Sequence, residues 1–335
     1  MNRPNETTEP IDAVITWVDG SDPKLRAKQA RYFDLDSTNR TISPERFIEH
    51  GEIYYCIASI LTNAPFINHI YVVTDEQYPT CLEQIETDFG IDLRARISVI
   101  DHKVIFRGFE DSLPTFNSRS IESMLHRIPG LSGRYVYFND DCFIARPMQE
   151  SDFFVGNKPV LRGKWLPSIT ATFKDFLHRT WISKWLGISD NSAGFKEAQF
   201  RSFEYLGFRY RYFWHDHTPA PMIRETLQNF FDDNADLHRL NIGFRTRDKR
   251  QLNVTSLLRG LEIRNGAPTT REISLVYVKA NQLNPEKQIA YLQRKISKLE
   301  KNRSFFICIQ NLQRMEPEAR DLAVRWLKQL FGKIY

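Results

Sequence analysis

The chain has 335 residues, 41% of them hydrophobic, 26% charged and 13% aromatic, a composition that excludes fibrous and disordered classes and leaves a soluble globular protein, either one large α/β domain with insertions or two domains sharing a cleft. Lysine and arginine number 46 against 41 acids, giving +5, an excess without the long basic runs of nucleic-acid tails, so an anionic substrate is compatible and a nucleic-acid partner is not expected. Four scattered cysteines, with no CxxC pair and no histidine cluster at metal-ligand spacing, argue against a zinc site and for a reducing compartment.

Residues 11–18, IDAVITWV, are apolar and β-branched and predict a strand buried on both faces. A helix is expected from Asp22, a good N-cap, with Pro23 where a missing N–H costs nothing and Leu25, Ala27, Ala30 and Phe33 following. The spacing of Ile53, Cys56, Ile57, Ile60 and Leu61 predicts a second helix over Gly51–Pro65, followed by a strand over His69–Glu76. A helix near 79–88, a strand at Arg96–Asp101, a helix at Ser118–Ile128 and a strand at Gly133–Asp141 continue the alternation. Such alternation argues for an α/β fold with a mainly parallel sheet covered on both faces. Residues 1–150 are thus expected to form a nucleotide-binding type of α/β half. Residues 151–215, aromatic and basic, are expected to form an inserted cap or acceptor-side region, and 216–335 the remainder of the core, with strands at Arg271–Val278 and Arg303–Gln310.

No apolar run approaches the roughly 20 residues that cross a bilayer, and MNRPNETTEP carries no apolar leader segment, so a cytoplasmic place is expected. At the other end Leu322, Val324, Leu327, Leu330, Phe331 and Ile334 recur near helical spacing among Arg320, Arg325, Lys328 and Lys333. This amphipathic helix has two readings: it lies on an anionic leaflet at the inner membrane, or it caps the core.

In open parallel sheets, ligands gather beyond the carboxyl ends of the strands, where the pattern puts Asp19, Asp75 and the pair Asp140 and Asp141. Adjacent carboxylates at the end of a buried strand are costly to ionise together unless a cation or a basic side chain sits between them. They either hold a hard divalent ion that shares substrate phosphate oxygens or start a turn. In DGSD, Gly20 allows positive φ and the helix start suits a phosphate; alternatively Asp19–Asp22 is a capped turn, which explains Asp22 but not Asp19. His215 and His217 are candidate proton carriers or structural hydrogen-bonders. Arg245 and Arg247 in GFRTRDKR form either a phosphoryl clamp or a solvated basic loop.

IDAVITWVDGSDP resembles the first signature of the Stealth family, the sugar-phosphate transferases that build bacterial capsular polysaccharides and include the lysosomal-enzyme GlcNAc-1-phosphotransferase. Leu113–Phe143 resembles the core of the second region, whose beginning is similar to YYCIASILTNAPFINHIYVVTDEQ. HTPAPM at His217, running on to FRTRD, resembles the third, and FFICIQNLQ near Cys308 the fourth. The resemblance implies a GT-A-like core and transfer of a hexose or hexosamine 1-phosphate from a nucleotide sugar to a hydroxyl of a polysaccharide acceptor, with release of a nucleoside monophosphate and use of Mg2+ or Mn2+. By motif position it implies Asp19, Glu122, His217 and Arg245 as catalytic, with Glu122 otherwise reading as an exposed helix position. It implies Gly20, Ser21, Asp22, Asn117, Arg119, Arg127, Asn139 and Arg247 as substrate-binding, and Asp140, Asp141 and Asn311 as metal ligands. Capsule-assembly proteins, the inner membrane and a second copy are compatible partners. Gln310 and Asn311 stand where the family carries an asparagine-aspartate pair, which puts the metal geometry in question. Two other readings stay open: a metal-dependent glycosyltransferase that releases nucleoside diphosphate, and a non-catalytic glycan-binding relative.

Overall fold

The computed structural model describes residues 9–33, 50–169, 194–279, 283–302 and 304–332. Ile11–Thr16 (β1) is buried along nearly its whole length and takes the centre of a five-stranded sheet. Ile67–Thr74 (β2) and Arg134–Asn139 (β4) flank it in parallel, and Ile97–Asp101 (β3) lies parallel beyond β2. Ala220–Ile223 (β8) closes the other edge, antiparallel to β4. The central sheet is therefore mainly parallel, as the strand and helix alternation requires. The edge strand β8 was not foreseen, because HTPAPMI carries two prolines; Pro221 is tolerated there because an edge strand leaves one row of N–H positions unpaired.

The chain leaves this sheet at Asp140 and Asp141 and enters a second one as Cys142–Ile144 (β5), antiparallel to Phe306–Ile309 (β10), which pairs in parallel with Leu275–Val278 (β9). The strand expected over Gly133–Asp141 is β4, which ends at Asn139, and β5 begins directly after the acid pair. β2 likewise ends before Asp75, because Glu76 adopts φ 55 and turns the backbone out of the ladder.

Pro23–Ala30 (α1) begins as expected, with the Asp22 side chain accepting from Lys24 N. Glu52–Asn63 (α2) and Leu82–Phe89 (α3) follow. The helix expected over Ser118–Ile128 is broken into Ser118–Glu122 (α4) and a 3-10 turn at Leu125–Arg127. At the break the Ser123 hydroxyl donates to Arg119 O at 2.7 Å, a side-chain competitor for a helical carbonyl.

Within the expected cap, Phe195–Tyr205 (α5) packs on an antiparallel pair, Lys164–Pro167 (β6) and Arg211–Trp214 (β7). Phe200, Phe203, Tyr212 and Phe213, with Trp165 packed against them, form a separate small core, so these five rings are packing rather than ligand platforms. Residues 170–193 of that region lie outside the described residues. The chain continues through Arg224–Asp233 (α6), Ala235–Ile242 (α7), Val254–Arg264 (α8), Pro285–Asn302 (α9) and Pro317–Phe331 (α10). α10 buries Ala319, Ala323, Trp326, Leu327 and Phe331 and packs on α2 and α9. Its apolar face caps the core and is covered by the protein, not offered to a leaflet; Lys333 and Ile334 lie outside the described residues. No helix among the described residues is long and apolar enough to cross a membrane.

Candidate active site

Parallel pairing aligns Thr16 with Val73 and Asn139, and Thr74 with Asp101, so the carboxyl ends of β1 to β4 share one edge. Two cavities lie there. The larger, about 410 Å³, is lined by Trp17, Asp75, His102, Asp140, Asp141 and Asn311, among others. The smaller, about 230 Å³, holds four cations, Arg119, Arg247, Arg259 and Lys279, with Glu122 and Asp216. Ser118, Asn139, His217, Arg247 and Gln310 border both. One edge of the sheet thus carries an acidic chamber and a cationic chamber with a common wall.

Asp141 sits at the junction of the two sheets. Burial, opposed by a hydrogen bond from the Cys142 thiol and aided by the Glu52 charge, pushes its carboxyl up to about 6. A carboxyl strained in this way beside a second one gains from a cation. Asp140, Asp141, Gln310 and Asn311 all line the larger cavity, and side-chain oxygens are the donor type that a hard divalent ion takes. Asn311 adopts φ 56, a conformation asparagine tolerates better than most residues. Gln310 Oε1 accepts from Tyr277 Oη at 2.5 Å.

His217 stacks between Phe195 (4.2 Å between ring centroids) and Tyr277 (5.7 Å). Burial, then the Arg247 and Lys279 charges, lower its pKa to about 4, so the ring is neutral at neutral pH and able to accept a proton. His215 is structural by contrast: its Nε2 meets Ser256 Oγ at 2.9 Å and its backbone N donates to Gln199.

Glu122, which sequence spacing leaves on an exposed helix side, is 7% exposed, lies 3.4 Å from Tyr137 Oη and has its pKa raised by burial. Arg247 donates to Ser118 Oγ at 2.9 Å. Arg119 donates to Asp248 O at 3.2 Å, and burial followed by the Arg247 charge lowers its pKa to about 10. Asn139 accepts from Tyr137 Oη at 2.9 Å.

The remaining expected residues stand apart from both linings. Asp19 turns its Oδ1 to Ser21, accepting from N at 2.8 Å and from Oγ at 2.6 Å, so a turn does explain its side chain. Gly20 is not among the positive-φ glycines; its carbonyl accepts from Arg26. Asp22 caps α1 and accepts from Gln77 Nε2 at 2.9 Å. Asn117 clamps the later arginine loop, donating to Phe244 O, Thr246 O and Gln251 Oε1. Arg245 lies over the Tyr32 ring at 4.5 Å, and Arg127 lies over Phe109 at 5.0 Å. Of the two arginines in FRTRD, the fold carries Arg247 to the cavity wall.

Comparison with known proteins decides what these segments are. Stealth protein CR1, conserved region 1, matches residues 9–32, and Stealth protein CR2, conserved region 2, matches residues 46–160. The chain carries Stealth conserved regions 1 and 2. The capsular polysaccharide phosphotransferase cps1A of Actinobacillus pleuropneumoniae is 41% identical over 150 residues, 44% of this chain and 39% of that protein. LcbA, the capsular polysaccharide phosphotransferase of Neisseria meningitidis, is 41% identical over 149 residues, 44% of this chain and 38% of its own. The exopolysaccharide phosphotransferase cps2G of Lactiplantibacillus plantarum is 37% identical over 200 residues, 60% of this chain and 55% of its own. The chain thus spans about two fifths to a little over half of these relatives. Among solved structures, the apo WbbM bifunctional glycosyltransferase, 12% identical, covers 98% of this chain and 51% of its own at a TM-score of 0.43. Apo GlyE of Streptococcus pneumoniae TIGR4, 9% identical, covers 95% and 60% at 0.41. Likenesses this remote place no constraint on chemistry.

Stealth region 1 supplies β1 and α1, and region 2 supplies α2 through β5, including Glu122, Asp140 and Asp141. His217, Arg247, Gln310 and Asn311 lie outside both matched segments and reach the cavities through the fold. Two cavity cations were missed from sequence. Lys279 directly follows a strand, as Asp75 does, so the strand-end rule could have found it; Arg259 is a buried cation on α8, which also buries Glu262.

Proposed function

We propose that this Stealth-region chain transfers a hexose or hexosamine 1-phosphate from a nucleotide sugar to a hydroxyl of a capsular or cell-surface polysaccharide. The observation that carries this reading is the common wall, where a neutral histidine stands between an acidic and a cationic chamber. The names of the relatives, capsular and exopolysaccharide phosphotransferases, support it.

The larger cavity suits the nucleoside and its diphosphate. Trp17 Nε1, Gln29 Oε1, Asp75 Oδ2 and His102 Nδ1 border it as buried polar atoms without a hydrogen-bond partner, groups that a polar ligand would satisfy. The acceptor hydroxyl lies on the side of His217. That ring takes the hydroxyl proton as the acceptor oxygen bonds to the phosphorus next to the sugar. The bond from this phosphorus to the bridging oxygen breaks, and nucleoside monophosphate leaves. Arg247, Arg119 and Lys279 offset the charge on the transferred phosphoryl group, so the protein's task is positioning and electrostatics. Glu122 places negative charge near Arg247 and favours its charged form, while Ser118 Oγ accepts from the guanidinium. Asp140, Asp141 and Asn311 would hold Mg2+ or Mn2+, which when bound supplies charge neutralisation at the diphosphate.

Mass spectrometry after incubation with Mg2+, a panel of nucleotide sugars and short capsule-type acceptors tests the reading. Nucleoside monophosphate together with a glycan phosphodiester is the expected outcome. Release of nucleoside diphosphate with a phosphate-free glycoside assigns a glycosyltransferase instead, and acceptor binding without turnover of any donor assigns a glycan-binding relative.

A further inference from the structure

The cysteines show no metal-ligand spacing in the sequence, yet the fold gathers two of them with a carboxylate. Cys142 in β5 and Cys308 in β10 are direct partners in the antiparallel ladder. Ile309 N donates to Asp141 O at 3.0 Å and Ala145 N to Phe305 O at 2.8 Å. Bonded pairs therefore fall on the odd positions, and Cys142 faces Cys308 as a non-hydrogen-bonded pair, the kind whose side chains stand closest. Both Sγ atoms and a carboxylate oxygen of Asp141 lie within 4.8 Å of one another, with Cys142 Sγ 3.4 Å from Asp141 Oδ1. Around a tetrahedral cation with bonds of about 2.0 Å to oxygen and about 2.3 Å to sulfur, ligand atoms stand about 3.5 to 3.8 Å apart. Small side-chain adjustments suffice to reach that geometry.

We propose that Asp141, Cys142 and Cys308 form a binding site for a thiophilic divalent cation of the zinc class. The fourth position is left to water or a substrate oxygen on the cavity side of Asp141, the one member of the triad that lines the cavity. Thiolates select borderline and soft cations, whereas Mg2+ takes oxygen, so this site is chemically distinct from the oxygen cluster of Asp140, Asp141, Gln310 and Asn311. Binding displaces the two thiol protons to solvent. The thiols are 1% and 0% exposed, so the cation enters past Asp141. Asp141 belongs to both sets, so a zinc-class cation held by the two thiolates competes with Mg2+ for that carboxylate. A zinc-class cation thus inhibits transfer, a consequence that rests on the proposed function, while the binding itself does not.

Co2+ added to the reduced full chain in the presence of excess Mg2+ provides the test. The expected result is a near-ultraviolet thiolate-to-cobalt charge-transfer band with intense visible bands of a tetrahedral ion, saturating at a single equivalent and abolished by Zn2+. Cys142→Ala and Cys308→Ala should each weaken Zn2+ binding by at least about tenfold in chelator competition, with folding checked by circular dichroism. Cys56→Ala, which removes a buried thiol outside the triad, should keep the band. Asp141→Asn leaves both thiols in place and should weaken Co2+ while retaining the charge-transfer band. A folded wild-type protein without that band, or a band that survives the Cys142→Ala, Cys308→Ala double variant, overturns the site. No readout involves turnover, so failure here leaves the transfer reading standing, and failure of transfer leaves the site standing.

Discussion

His217 is the residue whose chemistry depends most on its surroundings. An exposed imidazole titrates near 6.5, but burial and the charges of Arg247 and Lys279 bring this one to about 4. It is therefore ready to accept a proton over the whole neutral range. Wild-type kcat/KM should fall as pH drops through about 4. His217→Gln should lose roughly 10²- to 10⁴-fold in rate and with it that acid limb; a variant with the wild-type profile would remove His217 from the proton path. Asp19 and Asp22 show what local reading can reach. The cap at Asp22 follows from the sequence of the next residue, Pro23, and is seen. The partner of Asp19 is Ser21, only two residues on, yet nothing in DGSD says that its carboxylate bonds to that serine rather than turning to the cavity.

At the level of elements, the junction between β4 and β5 matters most, because one chain segment ends a parallel strand, exposes two acids and starts a strand of another sheet. Hydrophobic pattern finds β4 and its acid-tipped end but not β5, whose three residues are too few to stand out as a strand. The broken helix at Ser123 and the edge strand through Pro221 were hidden for another reason: a hydroxyl competing for a carbonyl and an unpaired sheet edge are properties of place, not of residue type. β6 and β7 depend on a close approach at Gly163. A Cβ there would meet a Phe213 ring carbon and Trp214 O at 2.5 Å each. Gly163→Ala should therefore destabilise by about 1 to 3 kcal/mol, visible as a lower urea midpoint with an unchanged slope. An unchanged midpoint would mean that the strands part without cost.

Across the whole molecule, buried histidines link stability to pH. His126, His217 and His238 have pKa values near 3, 4 and 4, burial being the first cause in each. Between about 4 and 6.5 the unfolded chain binds protons that the folded one refuses, so stability is full above about 6.5 and is lost as pH falls. Asp141, raised to about 6, acts in the opposite sense in the same window and offsets part of the loss. The burial-raised carboxyls of Glu52, Glu122, Asp216 and Glu262 oppose the histidines as Asp141 does, and the denaturant midpoint is expected to fall between pH 6.5 and 4.5. His126→Gln should reduce that fall relative to wild type, and an unchanged pH dependence in this variant would contradict the neutral state of the His126 ring.

The sequence by itself determined the alternation of strands and helices, the parallel sheet, the capped start of α1 and the Stealth motifs, because each rests on residues close together in the chain. It also brought acids to strand ends, since that position follows from the ends of apolar runs. Only the tertiary structure decided which of them share a chamber: Asp75, Asp140 and Asp141 do, while Asp19 holds its own turn. The selection of Arg247 over Arg245, the burial of Glu122 and the meeting of Cys142 with Cys308 across 166 residues of chain were likewise decided by the fold. Contacts of that kind depend on how sheets join and pack, and no local pattern of polar and apolar residues encodes the distance between segments so far apart.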